Sequence, residues 1–352
     1  MNILFIPHSP NLDLINRVYE FAKNTNSYFL YWEMDNSSLK HKIISQLNSL
    51  KYKIDDDRLV QIPLLFRPEK LATQINTYTL NNVIEKLKID VIVNANALLF
   101  DIKKIAVPVI YDLVDDHLEV NRDIGLNVSR IQKIKEDIVH AKGVICVSSF
   151  LEEKVKQLNK NTITIENGLY LERFEKAKGL KKELGLEDKK VYGYIGGVAS
   201  WTGVAKACEN YMKIKDTTNA FIIVGENDSK YYKDMYEVYH NDVIFIGKVP
   251  PYKVADYFKT LDVGLIPFEI NDFTNNALPI KALEYALGGA NVIATKLRYL
   301  EYKAYPFIEF CAIENFYKSM QHNDTANWRY DFSKYDWKSL SDDVTAFIKR
   351  SI

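Results

Sequence analysis

Asp262-Val-Gly-Leu-Ile-Pro-Phe268, followed by Leu278-Pro-Ile-Lys-Ala-Leu-Glu-Tyr-Ala-Leu-Gly-Gly289 and Asn291-Val-Ile-Ala-Thr295, decides the fold. Two short apolar runs flank a segment with helical periodicity. Runs that are apolar on both faces suit parallel strands covered by helices. A polar loop, Glu269–Asn276, feeds the helix, and Pro279 stands where proline is favoured, in a first helical turn.

The same alternation extends in both directions. Before it come the runs Ile3–Ile6, Tyr28–Trp32, Val91–Val93, Val107–Tyr111, Val144–Val147 and Thr162–Ile165, with helical patterns over Leu12–Lys23, Leu71–Leu87 and Leu118–His140. Later come Val191–Ile195, Phe221–Val224, Val243–Ile246 and Val263–Pro267, separated by helical patterns over Ala205–Ile214, Ser229–Tyr239 and Tyr252–Leu261. Repeated βα of this kind predicts an α/β chain of two Rossmann-like domains facing a cleft. The first covers 1–168 and the second 187–334, with a linker at 169–186 where the pattern weakens. Trp337, Leu340, Val344, Phe347 and Ile348 form one stripe, predicting a C-terminal helix over 335–352 that packs back across the domains.

Composition bounds the function. The 352 residues are 47% hydrophobic, enough for two cores. Lys+Arg and Asp+Glu both number 46, and the first half is balanced too, which argues against a nucleic-acid binder. Cys146, Cys208 and Cys311 lie too far apart for a disulfide framework or a zinc site. No apolar run approaches 18 residues and the opening lacks a leader pattern, so a cytoplasmic protein is expected. Arg58–Lys70 is a small apolar segment edged by Arg58, Arg67 and Lys70. It reads as a buried strand or as a contact with the inner face of a membrane.

Three places could carry chemistry. At the helix start after Pro267, free N–H groups and the positive dipole end suit an anion. Lys281 adds a cation, and Glu284 follows on the same face at i+3. The pair suits a nucleotide diphosphate, with Lys281 on phosphate and Glu284 on ribose hydroxyls. It would equally make a salt bridge on a solvated helix. Gly196-Gly197 ends a strand, where backbone amides can approach a phosphate. Gly196, Gly197 and Gly203 do not have dinucleotide-fingerprint spacing, so a nicotinamide enzyme is disfavoured. Trp201 in the same loop would stack on a ligand or pack. The third place is Asp112-Leu-Val-Asp115-Asp116-His117, an acidic cluster at a strand's carboxyl end. Asp115 or Asp116 could take a proton from an acceptor hydroxyl, with His117 beside it, and either could instead cap a helix. His8, Asn94 and Asn96 also follow strands and are read as acceptor contacts. Asp55-Asp56-Asp57 reads as a solvated turn, and no metal is expected.

These segments together resemble the group 1 glycosyltransferases of GT-B architecture. The resemblance runs in order over about 107–300: Val144-Ile-Cys-Val-Ser-Ser149, Ile165-Glu-Asn-Gly-Leu-Tyr-Leu-Glu-Arg-Phe174, Tyr194-Ile-Gly-Gly197, Phe221-Ile-Ile-Val-Gly225, Asn241-Asp-Val-Ile-Phe-Ile-Gly247 and the Lys281 helix. It implies a metal-independent transferase without a cofactor. A nucleotide sugar, in the first place a UDP-sugar, would be bound by Gly196, Gly197, Gly247, Asn276, Ile280, Lys281 and Glu284. The acceptor would be a glycan or lipid-linked glycan in surface polysaccharide assembly. The chain departs from the family pattern where Asn276 replaces the first acid of a Glu-x7-Glu pair, and where Gly197 and Thr202 replace loop cations. This variant form resembles bacterial polysaccharide glucuronosyltransferases of the xanthan type. A nucleotide-sugar epimerase of the same fold and a non-catalytic partner subunit are the alternatives.

Overall fold

The computed structural model describes residues 1–9, 17–32, 53–55, 58–119, 127–225, 229–271, 274–275, 278–323 and 328–352. They form two compact units, Met1–Gly168 with Trp337–Ile352, and Leu169–Asp336.

The first unit runs β1 (Ile3–Ile6), α1 (Arg17–Asn24), β2 (Tyr28–Leu30), β3 (Lys53–Ile54), β4 (Leu59–Gln61), α2 (Glu69–Leu87), β5 (Val91–Asn94), β6 (Val109–Leu113), α3 (Val128–His140), β7 (Gly143–Cys146), α4 (Ser149–Val155) and β8 (Thr162–Thr164). Its sheet has the order β3-β4-β2-β1-β5-β6-β7-β8. All pairs are parallel except β3 with β4. The order reverses between β1 and β5, where Phe5 lies opposite Val93. Every residue of β1, β5, β6 and β7 is buried, which is why these strands read as unbroken apolar runs.

The second unit runs α5 (Leu171–Lys176), β9 (Lys190–Ile195), α6 (Val204–Met212), β10 (Asn219–Val224), α7 (Lys230–Tyr239), β11 (Ile244–Gly247), α8 (Val254–Phe258), β12 (Val263–Ile266), α9 (Lys281–Leu287), β13 (Asn291–Ala294), α10 (Arg298–Lys303), β14 (Ile308–Phe310) and α11 (Phe316–His322). Its six strands are parallel in the order β11-β10-β9-β12-β13-β14. This is the doubly wound Rossmann arrangement, with the reversal between β9 and β12.

The last helix, α12 (Trp337–Ser351), returns to the first unit and lies along α1. Trp337, Leu340, Val344, Phe347 and Ile348 are all buried. Trp337 packs edge-on against Phe21, with ring centroids 5.6 Å apart. Gly168 leaves room for the same indole, since a Cβ there would lie 2.5 Å from it.

Two expectations need correction. Residues 169–186 do not link the units but are part of the second. Phe174 packs against Phe258 with ring centroids 5.8 Å apart, Lys178 N–H donates to Asp256 (3.0 Å), and Lys181 pairs with Asp262 at 2.6 Å. Charged residues disguised a packed segment whose partners lie some 80 residues away. The helix expected from Leu118 begins at Val128, because Asn127 accepts the N–H of Arg130 (3.0 Å) and caps it there.

Trp337→Ala should destabilise the first unit by about 3–5 kcal/mol, the range for emptying a buried aromatic site. Urea unfolding followed by probes in each unit checks this. The transition of the second unit should stay in place.

Candidate functional site

In the second unit the helix α9 is seated by Tyr285. Its ring lies against Gly264 of β12, so closely that a Cβ there would approach to 2.2 Å. Its hydroxyl accepts the N–H of Ile195 (2.9 Å) at the end of β9. Lys281, one turn earlier on the same face, is thereby brought to the turn after β9. Its ammonium donates to Tyr194 Oη (3.0 Å) and lies 4.3 Å from the Tyr194 ring centroid and 4.9 Å from that of Phe268. Tyr194 Oη in turn donates to Gly197 O (2.8 Å).

Gly196 has φ +139°, a conformation that L side chains rarely adopt. A Cβ there would also meet the Lys281 ammonium at 2.8 Å. Gly197 is exposed beside it. Gly247, at the end of β11, accepts the N–H of Gly225 (2.8 Å), and Gly225 lies directly against Gly196. Glycine backbone thus lines the carboxyl ends of three adjacent strands. Ile280 is the N-cap residue of α9. Asn276 lies outside the described residues.

Glu284 is part-buried on α9. Loss of hydration pushes its carboxyl up to about 7, opposed by the charges of Lys281 and Arg173. Arg173, on α5, lies over the Tyr170 ring at 3.6 Å. Its place near Glu284 was not read from the sequence. The only signal was its position inside the Asn-Gly-Leu-Tyr-Leu-Glu-Arg segment. Thr202 and Trp201 serve the loop itself. Thr202 Oγ1 donates to Ala199 O (2.6 Å), and Trp201 packs on Phe268 at 5.0 Å.

In the first unit the acidic cluster separates into three environments. Asp112 is buried on β6 against Arg17 of α1, with Arg17 Nε donating to Oδ2 (3.1 Å). Arg17 also donates to Asn167 Oδ1 (3.1 Å). Burial raises the Asp112 carboxyl above its usual range, with Arg17 and His8 pulling it down. Asp116 is buried and ion-paired with Lys154 at 3.0 Å, and it accepts the N–H of Leu118 (3.2 Å). Asp115 is half-buried, and its carboxylate has no hydrogen-bond partner among the described residues. Dehydration pushes it up to about 6, reinforced by Asp116 and opposed by Arg17. Burial lowers the His117 imidazole to about 4, helped by His8 and opposed by Asp116.

His8 is exposed at the end of β1. Its imidazole is lowered by loss of hydration, raised by Asp112 and lowered by Arg17. Asn94 and Asn96 turn their amides to the backbone. Asn94 holds Asn96 (2.9 and 3.0 Å), while Asn96 accepts from Leu98 N (2.8 Å) and Leu99 N (3.0 Å) and donates to His8 O (3.2 Å). As strand-end turn formers they shape the loop and fix His8. Beside His8 opens a cavity of about 920 Å³, lined among others by Asn96, Leu98, Arg67, Lys103 and Arg130. Arg67 and Lys70, the basic edge of the apolar 58–70 segment, also line it. Asp56 and Asp57 lie outside the described residues. Among the described residues no three His, Cys, Asp or Glu gather as a metal site. Nor is any helix long and apolar enough to cross a membrane.

Residues 189–303 match the family model described as glycosyl transferases group 1. TuaH of Bacillus subtilis strain 168, assigned to teichuronic acid biosynthesis as a glycosyltransferase, is 26% identical over 167 residues. The match takes in 46% of this chain and 42% of TuaH, so the chain spans under half the length of that relative. Anabaena HepE, solved in complex with UDP and glucose, superposes with TM-score 0.71 at 13% identity over 99% of this chain and 100% of that one. Sucrose-phosphate synthase from Thermosynechococcus elongatus gives 0.75 at 13% identity over 99% and 98%. Residues 189–303 are therefore similar to glycosyl transferases group 1, and the chain shares the fold of these solved structures.

Proposed function

We propose that the protein is a glycosyltransferase that takes a sugar from a nucleotide diphosphate, in the first place a UDP-sugar, and passes it to a glycan or lipid-linked glycan in polysaccharide assembly. The observation that carries this reading is the Lys281 ammonium seated at the Gly196–Gly197 turn, where the strand order of the second sheet reverses. In such sheets ligands bind beyond the carboxyl ends of the strands at that reversal. A fixed cation and glycine backbone there suit a diphosphate leaving group, whose charge grows as the glycosidic bond breaks. Glu284 is placed to meet ribose hydroxyls. The complexes of HepE with UDP and with UDP-glucose, and TuaH's assignment to a polysaccharide, support the donor and the acceptor class.

The acceptor is read onto the first unit, whose cavity begins at His8. Of the two adjacent acids, Asp115 is the base that takes the acceptor proton. Asp116 is engaged by Lys154 and by the turn it caps, whereas Asp115 is half-open with a carboxyl raised toward neutrality, as a general base requires. His117, held neutral by its low pKa, is a hydrogen-bonding group for sugar hydroxyls.

Lys281→Ala should weaken UDP binding and lower kcat/KM for UDP-sugar turnover about 100-fold, the scale of losing one preorganised electrostatic contact. Circular dichroism should remain that of the parent. Turnover at the parent rate would remove the diphosphate site from Lys281. For Asp115, ionisation is the active form, so kcat/KM should climb with pH up to about 6 and level off above it. Asp115→Asn should abolish most of the rate. Asp116→Asn should act on stability, seen as a lower urea midpoint.

A further inference from the structure

We propose that Tyr194 is a positioning residue for Lys281. Its phenol oxygen and ring fix the ammonium at the Gly196–Gly197 turn before any ligand arrives. The inference rests on the reading of Lys281 as the cation that meets the diphosphate.

Lysine is a poor anchor when left to itself, because its four-carbon stem is flexible and its ammonium is well hydrated. Here three contacts from two neighbours restrict it. Tyr194 Oη accepts one ammonium proton at 3.0 Å, and the Tyr194 and Phe268 ring centroids lie 4.3 and 4.9 Å away. Both aromatic residues are buried, Tyr194 fully, so neither follows the lysine if it swings. The bond is directional, since the phenol proton is committed to Gly197 O at 2.8 Å and the oxygen is left as an acceptor. The same hydroxyl therefore ties the cation to the backbone of the turn. A cation held in place does not have to be ordered again as the leaving group forms. Phe268 is braced from behind by Trp201 at 5.0 Å.

The test is calorimetric titration with UDP and with uridine of four proteins: the parent, Tyr194→Phe, Lys281→Ala and the double variant. Tyr194→Phe keeps the ring and removes only the hydroxyl. UDP affinity should fall about tenfold, the scale of a hydrogen bond to a charged group, while uridine affinity holds. In the Lys281→Ala background the same change should do nothing further. Equal losses for UDP and uridine would mean that Tyr194 merely supports the loop. So would a tenfold loss that persists without Lys281. Unchanged UDP affinity in Tyr194→Phe, with Lys281→Ala still strongly impaired, overturns the positioning role and leaves the donor site standing. A parent protein with no preference for UDP over uridine overturns the donor site itself.

Discussion

The close approach of Tyr285 to Gly264 sets the geometry of the second unit. A strand residue with any side chain would lift α9 off the sheet. With glycine, the tyrosine ring lies flat enough on β12 for its hydroxyl to reach the end of β9. That bond fixes the register of the helix against the neighbouring strand, and Lys281 follows one turn away. The cation's position is thus inherited from packing rather than from a charge partner. Its neighbours are two aromatic faces and a phenol, and among the described residues no carboxylate forms an ion pair with it.

The first unit handles charge differently. Arg17 and Asp112 form a buried ion pair, of the kind whose desolvation rivals its attraction. Arg17 Nη2 and Asp112 Oδ1 are buried without a partner among the described residues. The pair joins α1, β6 and, through Asn167, the last residues before the chain leaves the unit. Its field also reaches Asp115 and His8, where Arg17 opposes the effect of burial on the carboxylate. Structure and chemistry share the same few charges here, which explains why adjacent residues such as Asp115 and Asp116 differ so much in environment.

Much of this was legible in the sequence, for stated physical reasons. Parallel strands covered on both faces are continuous apolar runs, and the fourteen strands among the described residues include the eleven expected runs with shifts of one or two residues at their ends. The short strands β3, β4 and β14, of two or three residues each, are too brief to announce themselves. Helix periodicity found α9 and α12 but missed the start of α3 at Val128, because an asparagine cap marks a helix start without changing the apolar pattern. Spacing named Lys281 and the acidic cluster. It did not distinguish Asp115 from Asp116, since the deciding partner, Lys154, is 38 residues away. Nor did it show Tyr194 beneath Lys281 or Arg173 near Glu284, because both pairings exist only after the sheet has formed.

The return of α12 to the first unit has a consequence for how the molecule is made. Residues 169–336 are continuous, so every residue of the second unit is on hand once residue 336 has emerged. The first unit waits with part of a face open, since α12, which lies along α1 and sets Phe347 against Gly143, is translated after residue 336. During synthesis, then, the half of the nascent chain that emerges first is the one completed last.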